Sequence, residues 1–144
     1  MKNFNEFIEE TFVYGGGSYN PIFGTSPRGG FMASIEGTEI ITSATNKRYL
    51  KQILNSFLGE NFDLLNKSDR YIGTWICEDR LYIDVSVNFQ SKKEALKFGV
   101  YNSQDAIFDI DNNRCIYLPK KQTSGTLTQQ KTYIDLQIDK LLND

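Results

Sequence analysis

Hydrophobic and polar positions alternate most cleanly between residues 81 and 89. Leu81, Ile83, Val85, Val87 and Phe89 fall on one side of an extended chain, and Tyr82, Asp84, Ser86 and Asn88 on the other, because successive side chains of a strand point to opposite faces. The run Tyr71–Cys77 carries apolar groups at both parities, which predicts a strand interior to a sheet. Glu78, Asp79 and Arg80 join the two as a short hairpin loop. Ser91 and Glu94 have the spacing of a capping box, in which the hydroxyl accepts from the Glu94 amide and the carboxylate reaches back to the Ser91 amide. That predicts a helix turning Ala95, Phe98 and Tyr101 or Asn102 to the sheet. Ala106–Ile110 and Arg114–Leu118 predict a second hairpin around Asp111, Asn112 and Asn113, ended by Pro119.

Helical spacing appears in three other places. Leu50, Ile53, Leu54, Phe57 and Leu58 form one apolar stripe, opened by Asn46 and ended by Gly59. Over residues 3–12, Phe4, Phe7, Ile8 and Phe12 share a face, with Asn3 or Asn5 as cap and Gly15–Gly17 as the stop. Thr126 or Thr128 caps a terminal helix, 126–142, with Leu127, Ile134, Ile138, Leu141 and Leu142 on one side. Residues 14–30 are dense in Gly, Pro, Ser, Thr and Asn, which supports turns and short extended pieces but no helix. Strands follow at 30–37 and 38–43. The sum is α+β, a single domain over 1–144: a mainly antiparallel sheet with two or three packed helices. Its parts are the glycine-rich loop 14–30, a central sheet and helix 71–118, and the C-terminal helix 126–142.

Composition narrows the chemistry. A chain of 144 residues, 40% hydrophobic and 24% charged, is long enough to bury a sizeable core. Its net charge is −2, and its densest basic clusters, Lys92–Lys93 and Lys120–Lys121, make no basic stripe, so no direct nucleic-acid partner is expected. Nor is it acidic enough to imitate nucleic acid. The chain has no histidine, which excludes Ser-His-Asp and Cys-His nucleophile systems and the His-ligated zinc hydrolases. Carboxylate, lysine or tyrosine chemistry is what remains for an enzyme. Cys77 and Cys115 read as two free, buried thiols of a reducing compartment, a disulfide being the alternative. No apolar run approaches the roughly 18 residues needed to cross a bilayer, and acidic residues occupy the amino-terminal stretch where a signal peptide would be apolar. A cytoplasmic protein with no membrane contact is expected.

Three groups of residues are candidates for function. The glycine-rich loop lacks the Gly-Lys-Ser/Thr of a phosphate-binding loop. It does carry Tyr19, Phe23 and Arg28, residue types that dominate binding hot spots, and these are expected on an exposed partner-binding surface. Tyr82 and Asp84, on the polar side of their strand, extend that surface. Asp84, Asp109 and Asp111 would form an acid/base pair or hold Mg²⁺ if their strands were neighbours. A solvated face with turn-forming Asp is the favoured reading, so no catalytic residue, metal site or cofactor is expected. Trp75, the single tryptophan, is expected as a core anchor, the alternative being an exposed partner contact. The C-terminal helix is expected to pack in the core, with homodimerisation or docking on a partner as its alternatives.

Several of these segments together resemble a family of small, mostly uncharacterised proteins of phages and other mobile elements. The segments are Gly16-Gly17-Ser18-Tyr19-Asn20, Gly30–Ser34, Ile72–Trp75, Tyr82–Ser86, Glu94-Ala95, Asn102-Ser103-Gln104, Ala106–Asp109 and Gln122–Gln129, with Ser103 standing where the family more often has Asn. The resemblance covers about residues 14 to 130 and brings no catalytic residues. It implies a non-enzymatic protein that binds and inhibits a host defence component, such as a CRISPR effector nuclease or a restriction enzyme, in the cytoplasm of an infected or lysogenic bacterium. The alternatives are a Mg²⁺-dependent hydrolase or transferase using the three Asp residues, and a structural phage protein that self-associates through its last helix.

Overall fold

The computed structural model describes residues 2–43, 47–120 and 124–143. The architecture is α+β, with five helices and seven strands among the described residues and antiparallel strand pairing. Five helices exceed the two or three expected to pack on the sheet; four of them, Phe4–Tyr14 included, lie where helical spacing predicts, and the added one is the short Phe62–Leu65 after the stripe at Leu50 to Leu58. The chain divides into two compact units, Met1–Pro27 with Gly37–Val87, and Arg28–Glu36 with Asn88–Asp144.

The first unit begins with α1 (Phe4–Tyr14), whose Asn3 side chain accepts from the Glu6 amide and whose last turn ends on Gly15 at φ 80°. A left-handed C-cap of this kind is where glycine fits best. Then come β1 (Gly16–Tyr19), β3 (Ile40–Ser43), α2 (Lys47–Glu60), α3 (Phe62–Leu65), β4 (Arg70–Cys77) and β5 (Arg80–Phe89) as far as Val87, with Asn88, Phe89 and β2 (Phe31–Ser34) belonging to the second unit. β4 pairs with β1 on one side and β5 on the other, so it is interior as its apolar pattern predicts; β3 pairs with the start of β5. Helix α2 runs one residue past the expected stop at Gly59. The Asn46 cap lies outside the described residues.

Parity then separates the two faces of this sheet. Tyr19, Ile72, Thr74, Leu81, Ile83 and Val85 point inward and are buried, with Phe7 of α1 and Leu54 and Phe57 of α2 in the same core. The helix α1 approaches β1 at Gly17, where an added Cβ would lie 3.2 Å from the Phe7 ring. Two buried hydroxyls, Thr11 of α1 and Thr74 of β4, share a 2.7 Å hydrogen bond, which satisfies polar atoms that burial would otherwise penalise.

In the second unit β2, β6 (Ala106–Asp109) and β7 (Arg114–Tyr117) pair antiparallel, and α4 (Lys92–Tyr101) and α5 (Leu127–Leu142) supply its helices. Ala33, Leu96, Val100, Ile107, Ile116, Ile134 and Ile138 form its core. The face α4 buries is Ala95, Leu96, Gly99 and Val100; Tyr101, expected toward the sheet, is exposed. Ser91 accepts from the Glu94 amide at 3.2 Å. The reciprocal capping box forms at α5, between Thr126 and Gln129. Leu127 is 83% exposed, off the stripe it was expected to join, because at the first turn of α5 it precedes the part of the helix that meets the core. Lys121, Gln122 and Thr123, within the basic pair and the closing segment of the resemblance, lie outside the described residues.

Candidate functional site

The expected display of aromatics on the glycine-rich loop is corrected at Tyr19. It ends strand β1, is only 4% exposed, and packs between Phe4 and Phe7 at ring distances of 6.1 and 5.3 Å. Its hydroxyl donates to the Lys2 carbonyl at 2.9 Å, and burial, with Glu6 nearby, raises its pKa. Tyr19 is therefore part of the core. The turn that follows is pinned by Asn20, which is fully buried. Its Nδ2 donates to the carbonyls of Leu65, Arg70 and Lys67 at 2.8, 2.8 and 3.2 Å, and its Oδ1 accepts from the amides of Ile22 and Phe23 at 2.8 and 3.2 Å. Phe23 is left exposed on this turn in the first unit, and Arg28 is exposed in the second.

The three candidate carboxylates divide between the units, Asp84 in the first and Asp109 and Asp111 in the second. Asp109 is buried and committed to its own hairpin. Its Oδ2 accepts from Asn112 Nδ2 at 2.8 Å and lies 3.5 Å from Arg114 Nε. The Asn112 hydrogen bond, aided by Arg114, holds its pKa below the ordinary carboxylate value against the opposing effect of burial. Asp111 accepts the Gly30 amide at 3.1 Å. Both make loop-shaping contacts. Among the described residues no group of three or more Cys, Asp or Glu is placed to hold a metal ion.

The outward face of the first unit's sheet is different in character. Trp75, expected in the core, is 56% exposed. It sits at an outward position of β4, on the side opposite Tyr19 and Thr74, against which α1 packs through Phe7 and Thr11. Pairing register sets Trp75 opposite Tyr82, and Tyr82 opposite Ile41, which is 52% exposed. Ile41, Tyr82 and Trp75 thus stand side by side across β3, β5 and β4. Two glycines shape the surface around them. At Gly16, opposite Trp75 on β1, an added Cβ would lie 2.6 Å from the Thr74 carbonyl oxygen and 3.1 Å from Trp75 Cε3, so the indole leans over bare backbone. At Gly73 an added Cβ would lie 2.6 Å from Asp84 Oδ1 and 3.2 Å from Ser86 Oγ. The Asp84 carboxylate therefore lies across β4 at Gly73, two residues along the same face from Trp75, and accepts from the Ser86 hydroxyl at 2.9 Å. Farther along, Tyr71 and Ser86 are buried; burial raises the pKa of Tyr71, against the hydrogen bond it makes with Thr25.

Of the residues singled out in the sequence, this face gathers Tyr82, Asp84 and Trp75. It adds Ile41, whose only signal was its position in a short β-branched run. Both cysteines are free and exposed, contrary to the expected burial. Cys77 ends β4 beside the hairpin turn, and Cys115 lies on β7 opposite Phe108. A shallow groove of about 240 Å³ between α2 and β3 is lined by Ile40, Gln52, Ile53, Ser56, Phe57 and Glu60, with Glu60 its one ionisable group. No helix among the described residues is long and apolar enough to cross a membrane. No family model, curated protein or solved structure matches the chain.

Proposed function

We propose that this protein works by binding, not by catalysis: it covers the surface of a partner protein with the outward sheet face around Trp75. The observation that carries this reading is the aligned row Ile41, Tyr82 and Trp75, in which an aliphatic and an indole side chain are both more than half exposed. Large apolar groups side by side on a rigid sheet lose little conformational freedom on binding, and aromatic residues of this kind anchor interfaces. Phe23, exposed on the Asn20-pinned turn of the same unit, is a further contact. Tyr19 no longer belongs to the surface.

In its specific form the partner is a host defence protein, a CRISPR effector nuclease or a restriction enzyme, inhibited by occlusion. That form rests on the resemblance of the loop and strand segments to proteins of mobile elements. Its test is phage plating on bacteria that carry a defined panel of CRISPR effector nucleases and restriction enzymes, with and without this protein. Plating should be restored in at least one system, and the Ile41→Ser, Trp75→Ser double variant should lose that effect while keeping its far-UV circular dichroism. Failure to relieve any system removes the inhibitor role. Relief that survives the double variant removes the proposed face.

A further inference from the structure

The charges around the aromatic row indicate what kind of surface it fits, given that the row is the binding face proposed above. Asp84 places its carboxylate over Gly73. Positions two apart on a strand are separated by about 7 Å, so that carboxylate borders Trp75 along β4. Glu39 is exposed two residues before Ile41, and Glu78 and Asp79 form the exposed turn that links β4 to β5. Arg80, also exposed, is a cation on this face, two residues along β5 from Tyr82 and opposite Cys77. Among these described residues, carboxylates thus outnumber cations around Trp75 and Tyr82, which pairing sets opposite each other on β4 and β5. Indole is the strongest aromatic partner of a cation, and tyrosine serves as well. A guanidinium stacks on such rings while staying within reach of a carboxylate, and it is the more weakly hydrated of the two basic side chains.

We propose that Trp75 and Tyr82, with Asp84 beside them, receive an arginine from a basic segment of the partner protein. The aromatic row supplies the stacking surface. Asp84, with Glu39 and the Glu78-Asp79 turn, supplies the field that attracts a positive segment and repels an acidic one. An acidic or nucleic-acid partner is disfavoured by the same charges.

The protein carries its own reporter, because Trp75 is its one tryptophan. The probe is a short Gly-Arg repeat peptide, compared with the same peptide bearing citrulline, which keeps the shape of arginine without its charge. The arginine peptide should shift Trp75 emission saturably and bind more weakly as salt rises, and the citrulline peptide should bind at least about threefold more weakly. Calorimetry on Tyr82→Leu and Asp84→Asn should show about a twofold to fivefold loss for each, at unchanged thermal midpoint. Equal responses to the two peptides, or undiminished binding in both variants, would overturn the proposal. Outcomes also separate it from the reading it rests on. Phage relief that depends on Ile41 and Trp75 with no arginine preference ends only this inference. An arginine site in a protein that relieves no defence system ends the inhibitor role and leaves the site standing.

Discussion

The two faces of β4 and β5 are built from the same two strands and obey different rules. Inward, Ile72, Thr74, Ile83 and Val85 are all 6% exposed or less. Outward, exposure runs from 7% at Tyr71 to 56% at Trp75 within four residues. The inward side is closed at these four positions because α1 and α2 bury their apolar stripes against it, and it opens only at Ile76 near the hairpin end, which is half-buried. The outward side is uneven because Tyr71 meets Thr25 of the pinned turn at one end, and among the described residues no helix of this unit covers Trp75 at the other. Alternation in a sequence thus predicts which residues share a face. It does not say whether the second face has a cover.

The largest test of this contrast is a pair of truncations in neighbouring strands. Ile83→Ala, at a position with no exposure, should cost about 2–5 kcal/mol, the lost transfer energy plus a cavity. Trp75→Ser removes a larger side chain and should cost under about 1 kcal/mol, since most of its surface is already in water. Urea midpoints at constant slope measure both. A Trp75→Ser loss as large as that of Ile83→Ala would make Trp75 a core residue and would close the proposed face.

Gly16 is the point at which the outward face touches the backbone, and its expected effect is intermediate. Gly16→Ala puts a methyl against the Thr74 carbonyl oxygen and the Trp75 ring. The carbonyl belongs to a paired strand and cannot swing aside, so the cost should be about 1–3 kcal/mol. In a Trp75→Ser background the ring contact is gone and the carbonyl contact remains. The two substitutions should therefore couple, with the double variant less unstable than the sum of the singles. Strict additivity would mean the indole does not lean on Gly16.

Much of the fold is legible in the chain for local reasons. The stripe at Leu50, Leu54 and Phe57, the alternation of Leu81 to Val87 and the glycine stop after Tyr14 each depend on a single element and its own period. Four expectations failed where the answer lies in a distant segment. Tyr19 follows three glycines and looks like loop, but its ring is claimed by α1. Trp75 and Cys77 sit in an apolar run that suggests a core strand, yet their parity turns them outward. Cys115 lies in a strand pattern but on the outward side of β7. The site was half visible: Tyr82 and Asp84 follow from alternation. Their alignment with Trp75 depends on the register of the β4–β5 hairpin, and that with Ile41 on pairing across about 40 residues of sequence.

The smallest effect separates the two faces most sharply, because it should move stability and binding in opposite directions. The turn between β4 and β5 places Glu78 at φ 50° and Asp79 at φ 64°, the left-handed pair that a two-residue hairpin of type I′ requires. Asn-Gly is the sequence that suits this turn best, since glycine carries no Cβ penalty there and asparagine tolerates it. Glu78→Asn with Asp79→Gly should therefore stabilise the protein. The relieved strain is partly offset by the greater freedom of glycine in the unfolded chain, which leaves a gain of about 0.5–1 kcal/mol. The same change removes two carboxylates from the end of the aromatic row and should weaken the arginine peptide about twofold, with less loss at high salt. A variant that melts higher and still binds as tightly would confine the attraction to Asp84 and Glu39. One that melts lower would mean the Glu78 and Asp79 side chains make stabilising contacts that outweigh the strain of their backbone.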